Sequence, residues 1–191
     1  MKAKAVEHKT LSDTEIIREY LRSHDQRYFH ILYQRYSTKI YSRCISLLKN
    51  EALAQDAMQE IFMKLFLNLS KFGERAKFST WVYSITYNYC IDVIRKNKKR
   101  TAIFSDEIEN TPDPAEEVPE HALLEMEVSR LKFVLDQIPV GDKAVLLMKY
   151  RDDMQIKEIA VGLNKTESAV KMKLKRAKEK AFLVYKAHYK D

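Results

Sequence analysis

Hydrophobic residues recur along the chain at the three-to-four-residue spacing of an α-helix, and the alternation typical of a β-strand is absent. Ser12 followed by Glu15 has the spacing of a capping box and predicts the start of a first helix. Further helices are predicted over 25–48, 51–69, 79 to about 98, about 120–138, 142–150, 155–161 and 166 to about 186. The expected fold class is therefore all-α.

The residues that interrupt this pattern are concentrated in one segment. Only 3 glycines and 4 prolines occur, and three of the prolines fall within 101–120, a stretch rich in Asp and Glu that contains no Lys or Arg. Such a stretch has few apolar groups to bury and is typical of a linker. We predict two small helical domains, 1–100 and 120–191, joined by an acidic, flexible linker over 101–119.

Composition excludes several classes of function. No apolar run reaches membrane-spanning length and the first ten residues have no signal-peptide core, so we expect a cytoplasmic chain without membrane insertion. The 5 histidines lack metal-ligand spacing, and so few glycines leave no phosphate-binding loop; we expect no metal, no cofactor and no enzyme activity. Cys44 and Cys90 are expected to be buried, reduced thiols. The net charge of +7 is weak evidence for a polyanionic partner.

The segment 155–186 has the pattern of a helix-turn-helix motif. A short helix, 156–161, is followed by Gly162, and Thr166 is a suitable N-cap for the second helix. One face of that helix is apolar, with Val170, Leu174, Ala177 and Ala181. The opposite face carries Ser168, Lys171, Lys175 and Lys178, and phosphate contacts would suit Lys173, Arg176 and Lys180. An ordinary amphipathic helix with a solvated lysine face explains the pattern equally well.

The helix predicted from Ser79 is apolar on almost every side and ends in the basic run 95–100. A helix of this kind packs centrally, so most of its aromatic rings are expected in the core. One polar stripe remains, made of Ser84, Asn88, Asp92, Arg95 and Lys99, with Trp81 at its head. Phe78 and Trp81 adjoin a loop around Gly73 that mixes rings with cations, as single-stranded nucleic acid requires. Burial of Trp81 in the core is the alternative.

Three blocks, "AQDAMQEIFMKLF", "FGERAKFSTWVYSITYNYCIDVIRKNKKR" and "IPVGDKAVLLMKYRDDMQIKEIAVGLNKTESAVKMKLKRAK", follow one another in this order. Together they resemble the sigma-70 family of bacterial RNA polymerase sigma factors, and among these the small two-domain extracytoplasmic-function (ECF) group. The resemblance spans roughly residues 18–186. It implies a chain that binds core RNA polymerase, directs it to promoters and assists promoter melting, with a C-terminal helix-turn-helix domain. A free-standing helix-turn-helix regulator is the alternative.

The resemblance also implies roles for individual residues. Binding of the minus-ten promoter element would involve Phe72, Arg75, Lys77, Phe78, Trp81, Asn88, Arg95 and Lys99. Binding of the minus-thirty-five element would involve Lys165, Thr166, Glu167, Ser168, Lys171, Met172, Lys173, Lys175 and Arg176. Core polymerase would contact Asp56, Gln59, Glu60, Met63 and Leu67, which the periodicity separates from a predicted core face of Leu53, Ala57, Ile61 and Leu65.

The implied partners are core RNA polymerase, promoter DNA as duplex and as melted strand, and an anti-sigma factor. Two departures from the family pattern stand out. Asp153 and Gln155 replace the usual Gly and Ser before the first helix of the motif, which puts the start of that helix in doubt. Thr86 replaces a small apolar residue.

Overall fold

The computed structural model of the protein describes residues 11–74, 76–101 and 127–189, without the side chains of 98–101. Within these ranges every regular element is a helix, so the all-α prediction is confirmed. Most of the predicted acidic linker, together with Arg75 and the side chain of Lys99, lies outside the described residues.

The chain divides into two compact units, residues 1–90 and 91–191. The first contains α1 (Asp13–Ser23), α2 (Gln26–Leu48), α3 (Glu51–Asn68), a 3-10 turn (Leu69–Lys71) and the start of α4 (Phe78–Thr101). The second contains α5 (Val128–Gln137), α6 (Val140–Leu146) with a π-helical turn (Leu147–Arg151), α7 (Ile156–Gly162) and α8 (Glu167–Tyr189). The domain limits predicted at 100 and 120 stay a prediction.

The first unit begins with the capping box expected from the sequence. The backbone N–H of Ser12 donates to Glu15 Oε2 at 2.7 Å, and the N–H of Glu15 donates to Ser12 Oγ at 3.3 Å. Both bonds satisfy donors that a helix start leaves open. Asp13 then joins α1 to α2 by accepting hydrogen bonds from the Tyr36 hydroxyl and from Arg35 Nη1, the latter at 2.7 Å.

The core of the first unit lies between α1, α2, α3 and α4. Its fully buried side chains include Ile16, Leu32, Ile40, Ala54, Ile61, Leu65, Val82 and Tyr87. Cys44 of α2 and Cys90 of α4 are both buried free thiols whose sulfur atoms lie 3.7 Å apart. The hydrogen bond to Cys44 and burial raise the pKa of the Cys90 thiol, so this thiol is protonated and unreactive at neutral pH.

One position of the predicted core face is wrong. Ala57, Ile61 and Leu65 are buried as expected, but Leu53 is 38% exposed and Ala54 is buried in its place. Ser84 of the predicted polar stripe is also buried, with its hydroxyl donating to the carbonyl of Thr80 at 2.8 Å. A serine can satisfy its hydroxyl inside its own helix in this way, so its polarity does not require solvent.

The second unit is organised around α8, which packs on α5, α6 and α7. Its buried side chains include Val134, Val145, Met148, Met154, Ile159, Val170, Ala177 and Ala181. The π-helical turn that extends α6 is closed by the Asp152 N–H, which donates to the Leu147 carbonyl at 3.0 Å. Met148 within this turn and Met154 just beyond it are both buried.

Candidate functional site

Three aromatic side chains gather where α4 begins; we call Phe72, Phe78 and Trp81 the ring cluster. Their ring centroids are 5.3 to 5.7 Å apart. Phe78 is buried and packs edge-to-face on Tyr36 of the core, at 5.4 Å. Phe72 and Trp81 are half-buried. Trp81 is therefore held by its two neighbours and still exposes part of its ring to solvent, whereas Phe78 connects the other two rings to the core.

The loop 72–77 that leads into α4 is shaped by an unexpected residue. Glu74, and not Gly73, takes the left-handed backbone conformation, with φ at 53°. The Glu74 side chain is held by Arg18 of α1 through two hydrogen bonds of 3.0 and 2.6 Å. Lys77 at the end of the loop is exposed, so the loop contributes an exposed cation in addition to the half-buried ring of Phe72, which packs on Trp81.

The polar stripe of α4 continues away from the ring cluster. Asn88 is half-buried, and Arg95 is exposed with Asp92 3.9 Å away. Thr86, the residue that departs from the family pattern, is fully buried, and its hydroxyl donates to the Val82 carbonyl at 2.8 Å. The substitution therefore introduces no unsatisfied polar group, and the exposed part of the stripe remains basic at its far end.

In the second unit, α7 and α8 form the helix-turn-helix predicted from the sequence. The doubtful start of α7 is settled: the Gln155 N–H donates to Glu158 Oε2 at 2.7 Å, so a capping interaction exists without the usual serine. The turn is closed by the Lys165 N–H, which donates to the Ala160 carbonyl at 2.9 Å. Asn164, and not Gly162, takes the left-handed conformation in this turn. Thr166 caps α8 by accepting from the Ala169 N–H at 3.1 Å.

The two faces of α8 separate as predicted. Val170, Leu174, Ala177 and Ala181 are buried. The exposed side chains of the N-terminal half of this helix and its cap include Lys165, Thr166, Glu167, Ser168, Lys171, Met172, Lys175 and Arg176. Side chains at the N-terminal end of such a helix are the ones that reach base edges when it enters a major groove. The cap and the N-terminal half of α8 thus offer an exposed surface with four basic side chains, Lys165, Lys171, Lys175 and Arg176, and one acidic side chain, Glu167.

Lys173, which the sequence placed with the phosphate-contacting residues, has another partner. Its Nζ donates to Oδ1 of Asp142 at 2.7 Å, while Nζ of Lys180 donates to Oδ2 at 2.9 Å. Asp142 lies in the first turn of α6 and is only 5% exposed. Burial acts to raise the pKa of this carboxyl, but the hydrogen bonds and charges of the two lysines outweigh it, and the pKa lies below its ordinary value.

Sequence reasoning did not find Asp142 or its link to α8. No spacing signals it, because Lys173 is 31 residues away along the chain. A second ion pair joins Lys143 to Asp136 of α5 at 2.6 Å, so two adjacent residues of α6 bind charges on two different helices. The Asp142 contacts thus hold α8 against α6, and the Lys143 contact holds α6 against α5.

The surface of α3 opposite the core carries the residues expected to bind a partner; we call Asp56, Gln59, Glu60, Met63 and Leu67 the α3 stripe. All five are exposed, Met63 by 56% and Leu67 by 67%. Burial raises the pKa of Tyr89 in α4, and the nearby charges of Glu60 and Asp56 raise it further, so the stripe borders α4. Large apolar side chains next to carboxylates on an outward face are typical of a protein interface.

Two other classes of site are not found among the residues that the structure describes. No group of His, Cys, Asp and Glu in this part of the chain could hold a metal ion. No helix within the same ranges is long and apolar enough to cross a membrane.

Comparison with known proteins gives two family matches along the chain. Sigma-70 region 2 matches residues 32–100, and Sigma-70, region 4 matches residues 129–180. ECF RNA polymerase sigma factor SigW of Bacillus subtilis (strain 168) is 33% identical over 164 residues, 81% of this chain and 87% of that protein. ECF RNA polymerase sigma factor SigM of the same strain is 28% identical over 84% of this chain and 96% of its own length.

The fold is also similar to a solved structure. The co-crystal structure of the sigma factor RpoE in complex with the anti-sigma factor NepR from Bartonella quintana matches with a TM-score of 0.61. The match covers 84% of this chain and 98% of that one, at 16% sequence identity.

Proposed function

Because the chain belongs to the ECF group of sigma-70 RNA polymerase sigma factors, we propose which of its surfaces carries each step of initiation. A sigma factor of this family directs RNA polymerase to promoters, and that is the function of this chain. The alternative of a free-standing regulator is not favoured, since the region 2 match covers most of the first unit. We assign the chemistry of RNA synthesis to the polymerase and none to this chain.

The ring cluster and loop 72–77 take the minus-ten element as it melts. An unstacked base can lie against the accessible part of Trp81, because base–aromatic stacking is tolerant of sequence and contributes about 1–3 kcal/mol per base. Lys77, Arg75 and the basic end of α4 follow the phosphate backbone, together with Asn88, Arg95 and Lys99. Phe78 is too deeply buried to touch DNA, so we now give it the role of fixing the Trp81 ring.

The exposed first turns of α8 read the minus-thirty-five element as duplex. Ser168, Lys171 and Met172 are placed for base edges, and Lys165, Lys175 and Arg176 for phosphates. Lys173 is withdrawn from this set, because Asp142 already binds its ammonium group. The observation that carries the proposal is the separation of this exposed surface from the buried face of Val170 and Leu174.

The α3 stripe binds core RNA polymerase. The five side chains of the stripe lie outside the buried core of the unit, so a partner can bind them without any change in the fold. We further propose that an anti-sigma factor binds the free chain and that the chain acts in the cytoplasm, where its polymerase works. The support for such a partner is the likeness to a sigma factor solved together with an anti-sigma factor.

Run-off transcription on genomic DNA tests the proposal as a whole. Core polymerase supplemented with the chain is expected to start at a limited set of sites that share two conserved elements upstream. A chain in which Lys171 and Trp81 are both replaced by Ala serves as the comparison. Starts that do not depend on added chain, or that are identical with the double variant, would contradict the assigned surfaces.

A further inference from the structure

A bidentate ion pair connects two segments that are distant in the sequence. Nε of Arg18 in α1 donates to Oε1 of Glu74 at 3.0 Å, and Nη2 donates to Oε2 at 2.6 Å. The residues are 56 positions apart. Two parallel hydrogen bonds between a guanidinium group and a carboxylate fix direction as well as distance. The pair therefore sets the orientation of the Glu74 side chain relative to α1.

Glu74 has a backbone that needs such support. Its φ of 53° lies in the left-handed region, which costs a side chain with a Cβ free energy relative to the usual conformations. Residues persist in such conformations when their surroundings hold them there. The Arg18 guanidinium is a holding contact of this kind, because it binds the tip of the same side chain.

Arg18 itself stands on a rigid support. α1 starts at the Ser12–Glu15 capping box, and Asp13 in its first turn binds Arg35 and Tyr36 of α2. The other side of α1 is closed by Ile16 and Ile17, both buried. Position 18 lies outside the residues that match Sigma-70 region 2. The contact thus connects loop 72–77 to a helix that the family match does not include.

We propose that Arg18 is a positioning residue for the minus-ten site: by clamping Glu74 it fixes the backbone at 72–74, and with it Phe72 of the ring cluster, before DNA arrives. This inference rests on the proposed assignment of the loop and Trp81 to the minus-ten element. Its physical basis is preorganisation, since a loop that is already ordered loses less conformational freedom on binding. The exposed pair contributes little to the stability of the fold as a whole.

The test measures opening of a fully paired promoter by polymerase holoenzyme, followed by the fluorescence of a base analogue in the minus-ten element. Arg18→Gln and Glu74→Gln are each expected to slow opening by about two- to five-fold, the range of an exposed ion pair. The double variant with Arg18→Glu and Glu74→Arg is expected to recover most of the rate. If only the net charge near DNA mattered, Arg18→Gln would slow opening and Glu74→Gln would accelerate it, because the first removes a positive and the second a negative charge.

Arg22→Gln is the matched control. Arg22 lies one turn further along α1, is similarly exposed and pairs with Glu19 of the same helix at 2.5 Å instead of with Glu74. It should open the promoter at the wild-type rate. Hydrogen–deuterium exchange of the loop peptide should quicken in the two single variants of the clamp and stay unchanged in Arg22→Gln.

Trp81→Ala separates the failure of this inference from the failure of the proposed function. If Trp81→Ala cannot open paired DNA while both single variants of the clamp open it at the wild-type rate, the minus-ten site stands and the positioning role is refuted. If Trp81→Ala opens paired DNA normally, the proposed minus-ten site is itself wrong. Opposite effects of Arg18→Gln and Glu74→Gln would also overturn the positioning role.

Discussion

Replacing Asp142 by Asn is expected to loosen the recognition helix α8, because one buried carboxylate holds two of its lysines. A hydrogen bond to a charged group contributes about 1.5–3 kcal/mol, and removing one partner of a buried pair costs about 3–5 kcal/mol. The side chains of Lys173 and Lys180 are 42% and 25% exposed, so both ammonium groups can regain water when the carboxylate is lost. We therefore place the loss at about 2–3 kcal/mol, below the range for a fully buried pair.

The loss should depend on pH in a defined way. The two lysines hold the pKa of Asp142 below its ordinary value in the folded chain, despite the opposing effect of burial. A depressed folded pKa stabilises the protein above the unfolded pKa of about 3.9, and the stabilisation is lost as the pH falls through the folded value. The difference between wild type and Asp142→Asn should stay constant from neutral pH to about pH 5 and narrow progressively as the pH falls below about 4.

Native-state hydrogen exchange of the full chain, followed by mass spectrometry, measures this difference. Peptides from 167–189 report on α8 alone, so unfolding of the other unit does not enter the result. Asp153→Asn is the matched control, because it makes the same chemical change at an exposed carboxylate of the same unit. Unchanged protection of α8 in Asp142→Asn at neutral pH, or a difference that grows as the pH falls below about 4, would refute the reasoning.

Three further predictions concern the proposed surfaces. Trp81→Ala should bind core polymerase yet fail to open a paired promoter. A template already mismatched at the minus-ten element should restore activity, since the cost of unstacking a base is then absent. A large loss of thermal stability without this rescue would indicate a core role instead. Lys171→Ala should lower the binding free energy by about 1–3 kcal/mol on the cognate minus-thirty-five duplex only. Arg176→Ala should weaken binding to all sequences and lower the slope of log affinity against log salt concentration by about one. Equal losses on every duplex would mean that α8 binds DNA without reading its sequence. Glu60→Ala should change the free energy of unfolding by less than about 0.5 kcal/mol and still lower the affinity for core polymerase in a titration. Unchanged affinity would show that Glu60 does not contribute to polymerase binding.

Periodicity in the sequence was sufficient to predict the helices, the helix-turn-helix and the outward face of α3. It misplaced one core position because Leu53 and Ala54 are both apolar and both fit the spacing of the helix. Spacing alone cannot say which of two neighbours turns inward; here the small side chain does, and the larger one stays at the edge of the face. The predicted core face of α3 therefore differs from the observed one only in having position 53 where the structure has its neighbour 54.

Contacts across the fold could not be predicted in the same way. Asp142 with Lys173, and Arg18 with Glu74, pair charges that are far apart in the chain and leave no repeating trace in it. A lysine bound to a buried carboxylate looks like any other lysine of a basic helix in the sequence. The left-handed turns were also missed, because Glu74 performs a task that is normally given to glycine.

The succession of helices in the first unit has a consequence for the time course of synthesis. α1 packs on α2, and α2 packs on α3, so each helix meets a partner that is its neighbour in the chain. Helical domains with such local contacts fold within microseconds to milliseconds. Ribosomes add about 5–20 residues per second, so the hundred or so residues that follow residue 90 take roughly 5–20 s to make.

The first unit can therefore complete its fold on the ribosome while most of α8 has not yet been translated. The α3 stripe exists as a surface from that moment, since its geometry depends only on helices already made. A nascent chain would offer its proposed polymerase-binding surface several seconds before the unit that reads duplex DNA, and the order of the two units in the gene becomes an order of events in the cell.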